Sequence, residues 1–139
     1  MKVVVAVKLL DGVLEDALAY AKERRAFGKA IGEFQTIQNY IAEIAMMRDQ
    51  AELMVYRAAT LLNEGKPCHM EASMAKVVAS EYAVKAADLG ISILGGMGYS
   101  ADTDMQRYWR DARLWKIGPI TNEMARNAIA ENLGLPRSF

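Results

Sequence analysis

Val3, Val7, Leu10, Leu14, Ala17 and Ala21 recur at alternating four- and three-residue steps, the period of one continuous helical face. Four of the five residues from 3 to 7 are valine, which by itself favours a strand. The stripe nevertheless runs unbroken into the Tyr20 segment, so the pattern predicts a long helix over about residues 3–25. Beyond Gly28 and Gly32, a second helix places Ile37, Ile41, Ile44, Met47, Ala51, Met54, Ala58 and Leu61 on one face. Gly65 and Pro67 then supply a stop. The third helix carries Met70, Met74, Val77, Val84, Ala87, Ile91 and Leu94. Glu81 interrupts that stripe, so its carboxylate needs a partner or a place at the stripe's edge.

Two shorter helices follow, with Asp104 and Thr121 as their N-cap candidates and Gly134 and Pro136 as the final stop. The expected breaks are Gly28–Gly32, Gly65–Pro67, Gly95–Asp104 and Gly118–Ile120. Three long and two shorter helices joined by brief turns predict an all-α antiparallel helical bundle. At 139 residues, with no repeat or linker, the chain reads as one domain.

Composition narrows the function classes. The 17 basic and 17 acidic side chains cancel, leaving no electrostatic footprint for nucleic acid or an anionic membrane. Apolar residues make up 53%, more than a bundle this small can bury, which points to a subunit or domain interface. The single cysteine, Cys68, excludes an internal disulfide. No apolar run reaches membrane-spanning length, and the first residues lack the features of a signal peptide. Together these give a cytoplasmic expectation.

Metal chemistry is disfavoured, because His69 is the only histidine and no paired Glu-x-x-His motif exists. Adjacency of Cys68 and His69 does not make a nucleophile and base, which must meet in space. The nine methionines fall largely on the helical stripes and read as adaptable core filler. Leu94-Gly95-Gly96-Met97-Gly98-Tyr99 closes a helix rather than opening one. Free carbonyls repel anions there, so the residues themselves indicate a C-cap and a tight turn. Arg24 and Phe27 by themselves read as a helix-terminal cation and a packing aromatic. Thr121 and Glu123 read as an N-cap and a first-turn acid.

Three stretches in order change that picture: Tyr20 to Gly28 (Y-x-x-x-R-x-x-F-G), Phe34-Gln35-Thr36-Ile37-Gln38, and the glycine turn followed by Arg110-Asp111-Ala112. In this arrangement the chain resembles the C-terminal helical domain of the acyl-CoA dehydrogenases, from the Tyr20 helix to Ala130. These flavoenzymes oxidise an acyl-CoA thioester to its α,β-enoyl form. Their N-terminal helical and middle β-domains have no room in 139 residues. The resemblance implies that Arg24 contacts the FAD pyrophosphate and Phe27 the same cofactor, a guanidinium fork being suited to phosphate oxygens. It also implies that Gln35 lies near the flavin or its ribityl-phosphate. Gly95 and Gly96 would lie against the adenosine half of an FAD bound mainly by another subunit, and Thr121 and Glu123 would reach toward FAD near the active site. Ser92 departs from the pattern, standing where relatives commonly carry glutamine.

The implied reaction needs a general base for the α-proton, with hydride leaving to the flavin. In much of the family that base is a glutamate two residues before the matching threonine. Here the position is Pro119, which cannot accept a proton. Other relatives supply the base from the helix before the tyrosine motif, at a spacing that falls ahead of Met1. Glu123 is the substitute candidate, half a helical turn beyond Thr121. The expectation is therefore an FAD-contacting and oligomerisation domain, inactive alone, forming a homo-dimer or homo-tetramer. By resemblance the full enzyme takes an acyl-CoA substrate and passes electrons to an electron-transfer flavoprotein. The alternative is a stand-alone helical assembly module that binds no flavin.

Overall fold

The computed structural model describes residues 4–137. Its elements are α1 (Val4–Glu23), a two-stranded hairpin of β1 (Arg25–Ala26) and β2 (Lys29–Ala30), and a 3-10 turn (Ile31–Glu33). These lead to α2 (Gln35–Asn63), α3 (His69–Leu94), the single turn α4 (Gly96–Tyr99), α5 (Met105–Trp115) and α6 (Asn122–Asn132). The valine run from Val4 to Val7 is helical, so the long apolar stripe outweighs local strand propensity. Val3, the first position of that stripe, lies outside the described residues.

Helix α1 buries Ala6, Val7, Leu10, Val13, Ala17 and Ala21, leaving Leu14 at the margin. Helix α2 lays Ile44, Met47, Ala51, Val55 and Ala58 against it and against α3. Lys8 of α1 and Arg48 of α2 both bond Asp11, at 2.9 and 2.8 Å, along the outer edge of this seam.

The third helix departs from the expected stripe. Of that stripe Val77, Ala87 and Leu94 are buried, but Met70, Met74, Val84 and Ile91 are only half-buried, while Ala75, Ala79, Ala83, Ala86 and Gly90 are buried outside it. Helix α3 packs against α1, α2, α5 and α6, so it is enclosed on several sides rather than along one face. Small side chains let four neighbours approach one axis, and this replaces the one-sided pattern read from the large residues. Methionine is correspondingly divided: Met47 and Met105 are buried, while Met46, Met97 and Met124 are exposed.

The caps also divide. Thr121 Oγ1 accepts from Met124 N at 3.2 Å, capping α6 as expected. Asp104 stands at the cap position of α5 but makes no side-chain cap bond; its carboxylate pairs with Arg107 at 3.0 Å instead. Glu81 resolves its burial problem in both anticipated ways, lying at the edge of α3 and bonding Arg126 of α6 at 2.7 Å.

Candidate functional site

At the C-terminal end of α1, the Arg24 amide still bonds Tyr20 O at 2.9 Å, prolonging the helix by one residue. The chain then reverses through β1 and β2, with Arg25 opposite Ala30 and Ala26 opposite Lys29. The two turn residues, Phe27 and Gly28, have φ of 53° and 85°, the doubly left-handed geometry of a type I′ turn. Glycine suits that position; phenylalanine does not, at a cost of about 1–2 kcal/mol.

Phe27 does not recover this cost by burial, since 96% of it is exposed. Its ring meets only the edge of Phe34, with centroids 6.2 Å apart. Lys29 Nζ lies 4.3 Å from the Phe34 ring centre. Arg25 donates to Gly28 O at 3.3 Å, but the Arg24 guanidinium has no partner among the described residues. Gln35 opens α2 and is exposed. The end of the bundle thus presents an exposed aromatic, a free guanidinium and further cations, which suits an anionic ligand with an aromatic body.

Gly95 ends α3 with φ 59° and ψ −136°, donating to Ile91 O at 2.8 Å. Gly98 is pressed onto the same helix: a Cβ there would stand 2.8 Å from Ile91 Cα and 2.9 Å from Ile91 O. Gly96 differs from both, with a negative φ and open space where a Cβ would point. The fold therefore accounts for Gly95 and Gly98 but leaves Gly96 unexplained. Ser92 Oγ is taken up by its own helix, donating to Asp88 O at 3.1 Å. This turn adjoins the end of α1, because Tyr20 and Glu23 share a depression with Leu94, Thr103 and Asp104.

Thr121, Glu123 and Pro119 occupy the opposite end. The Asn122 side chain reaches α3 at Ser80, 3.0 Å away. Gly95 lies fifteen residues further along that helix, roughly 20 Å at the α-helical rise. The candidate residues accordingly form two groups: Arg24, Phe27, Gln35, Gly95 and Gly96 at one end, Thr121 and Glu123 at the other.

Glu123 is exposed, and bonds from its own backbone N–H and the Thr121 hydroxyl hold its carboxyl below the ordinary value. That direction makes it a poorer proton acceptor. Pro119 follows a cis Gly118–Pro119 peptide. Among the described residues, no group of His, Cys, Asp and Glu is placed to hold a metal ion. No described helix is long and apolar enough to cross a membrane.

Sequence reasoning missed one buried polar cluster. Lys76, Ser80 and Asn122 are 7%, 2% and 0% exposed. Asn122 Oδ1 accepts from both Lys76 Nζ and Ser80 Oγ, and its Nδ2 donates to Glu81 Oε1 at 3.3 Å. The visible clue was Lys76 and Ser80 four residues apart, on one face of an alanine-rich helix.

Against known proteins, the family profile described as "Acyl-CoA dehydrogenase, C-terminal domain" matches residues 1–134. Probable acyl-CoA dehydrogenase YngJ of Bacillus subtilis (strain 168) is 44% identical over 128 residues, covering 92% of this chain and 34% of that protein. The FAD complex of PigA superposes with a TM-score of 0.92 at 34% identity, covering 96% of this chain and 35% of that one. Butyryl-CoA dehydrogenase from Megasphaera elsdenii gives 0.91 at 36% identity, covering 92% and 33%. The chain spans about a third of the length of each of these relatives.

Proposed function

The chain belongs to the acyl-CoA dehydrogenase family, as its C-terminal domain, and from that premise we propose that it contributes flavin contacts and oligomer surface to an FAD-dependent α,β-dehydrogenation of an acyl-CoA thioester. The observation that carries this reading is Phe27, held in a strained backbone conformation and 96% exposed, beside the Arg24 guanidinium, which has no partner among the described residues. The hairpin imposes that backbone conformation, and it holds the ring out in solvent where a ligand can meet it, which supports the flavin reading.

Arg24 would grip the pyrophosphate with its planar fork, Phe27 would cover an aromatic face, and Gln35 would hydrogen-bond nearby. Gly96, open where a side chain would stand, would let the adenosine half approach the backbone. FAD, when bound, supplies the two-electron acceptor for the substrate's hydride. Thr121 and Glu123 lie at the far end of the bundle, so we assign the two groups to different flavins of an oligomer. The hairpin and glycine turn then face the cofactor held mainly by a second subunit. Electrons would leave to an electron-transfer flavoprotein, following the family resemblance.

This chain alone does not complete the reaction. Pro119 occupies the family's usual base position, and Glu123 is exposed with a lowered pKa. Absence of a positioned base forfeits about 10²–10⁴-fold in rate. With FAD, an acyl-CoA panel and an artificial electron acceptor, we expect no dye reduction. Turnover abolished by Glu123→Gln would overturn this and make Glu123 the base.

The flavin reading is tested by titrating FAD into the chain and following flavin fluorescence. Saturable binding weakened about tenfold or more by Arg24→Ala is expected, the scale of a lost charge-assisted hydrogen bond. Binding that is absent, or indifferent to Arg24→Ala and Phe27→Ala together, favours the assembly module that holds no flavin.

A further inference from the structure

We propose that the cleft between the first half of α3, the start of α1 and the α5–α6 connection binds a small organic carboxylate, its head held by Lys76 and Ser73 and its apolar body by Trp115 and Ile120. The cleft adjoins the Thr121 end of the flavin reading, since Pro119 and Ile120 line it, but it stands apart from the hairpin and glycine-turn group. Arg24, Phe27, Gln35, Gly95 and Gly96 all lie at the other end of the bundle, and none lines the cleft.

The cleft holds about 400 Å³, within the range of roughly 300–1,000 Å³ typical of small-molecule sites. Ala6, Ala72, Trp115, Pro119, Ile120 and Ala128 make its apolar walls. Lys76, Ser73 and Ser80 supply polar groups, and His69 stands exposed at its edge.

Lys76 is the reason to expect an anion. An ammonium has three donors, and a buried charge needs a counter-charge or full hydrogen bonding. Nζ donates to Asn122 Oδ1 and, at 3.4 Å, to Lys116 O; both acceptors are neutral. A third N–H is left over, and no carboxylate of the described residues forms an ion pair with Nζ. The nearby acids are committed or solvated, since Glu81 bonds Arg126 and Asn122, and Glu123 is exposed. Burial lowers the Lys76 pKa; the carboxylates of Glu123 and Glu81 work against that shift and the charges of Arg126 and Lys116 work with it, but neither carboxylate comes within ion-pair distance of Nζ.

Ser73 sits one helical turn before Lys76 on the same face and makes no hydrogen bond among the described residues. A carboxylate between them would accept from the free N–H and from the Ser73 hydroxyl, while its body displaces water from the apolar walls. A polyphosphate does not fit this chemistry, because the cleft offers one buried cation in a largely apolar lining. A neutral apolar molecule would leave the third donor of Lys76 unsatisfied.

The probe is hexanoate, with hexan-1-ol and hexylamine as neutral and cationic controls of equal chain length. In a Trp109→Phe background, fluorescence reports Trp115 in the cleft wall. The expected result is saturable quenching by hexanoate, at least about tenfold tighter than by hexan-1-ol, and no binding of hexylamine. Lys76→Met should erase the preference for the carboxylate. Should that variant fail to fold, Ser73→Leu keeps Lys76 while filling the cleft, and it should abolish hexanoate binding with an unchanged circular dichroism spectrum. Equal affinity for hexanoate and hexan-1-ol, a preference that survives Lys76→Met, or undiminished binding by a folded Ser73→Leu variant overturns the proposal.

Discussion

Phe27 and the three glycines of the Leu94–Tyr99 segment show how residues of one motif divide between structure and surface. Gly98 has no room for a side chain, because a Cβ would collide with the backbone of Ile91 at 2.8 and 2.9 Å. Backbone cannot rotate away as a flexible side chain can. Gly98→Ala should therefore lower stability by about 1–3 kcal/mol, the scale of overpacking. Gly96→Ala meets open space and should leave the urea midpoint nearly unchanged while weakening FAD binding. Equal loss of stability in both variants would contradict this division. At Phe27, relief of roughly 1–2 kcal/mol of left-handed strain offsets loss of a ring contact worth about 0.5–1.5 kcal/mol. Phe27→Asn should thus keep or slightly raise the melting temperature, although it removes the most exposed large aromatic side chain among the described residues.

At the scale of elements, α3 organises the molecule, and its hold on α6 is polar. Burial pushes the Glu81 carboxyl up, but bonds from Arg126 and Asn122 and the attraction of Arg126 and Lys116 outweigh it, leaving the pKa below 4.5. A carboxyl lowered on folding stabilises the folded state fully above its unfolded value. That contribution disappears as pH falls through the folded value. Glu81→Gln should accordingly be less stable than the parent at pH 7, with the difference closing as pH drops below about 4.5. Melting temperatures of the two proteins across pH 2–7 check this, and curves that stay parallel would exclude Glu81 as a source of acid sensitivity. The α1–α2 seam contributes in the same direction. Burial opposes, but Lys8 and Arg48 prevail, and the Asp11 carboxyl is lowered.

For the whole molecule, the apolar excess seen in composition appears as exposed side chains. Met46, Leu53 and Tyr56 of α2 are 60%, 69% and 62% exposed. Leu114 and Ile117, at and beyond the end of α5, are 63% and 53% exposed. Such surface is characteristic of an interface. We expect the chain to self-associate at micromolar concentration, measurable by sedimentation, and Leu53→Lys to shift it toward smaller species. A monomer throughout that range would contradict the assignment of oligomer surface. Flavins shared between subunits would make FAD binding and association mutually reinforcing, so FAD should shift the sedimentation profile toward the larger species.

The sequence by itself determined the five longer helices and the family, whereas the single turn α4 falls inside the break expected at Gly95–Asp104. Hydrophobic period is a local property, and the Y-x-x-x-R-x-x-F-G, F-Q-x-x-Q and glycine motifs are contiguous residues whose order can be read directly. Thr121 was legible as a cap for the same reason. Tertiary structure alone decided what depends on several elements meeting. It placed α3 inside four neighbours, so alanines rather than methionines form its buried surface. It bent the Gly28 break into a hairpin with Phe27 at positive φ, a choice that pairing of Arg25 with Ala30 imposes against the preference of phenylalanine. It set Arg24 and Thr121 at opposite ends of the bundle, although both belong to one family pattern. It also joined Lys76 to Asn122 across forty-six residues of sequence, because a buried ammonium must find acceptors wherever the fold brings them.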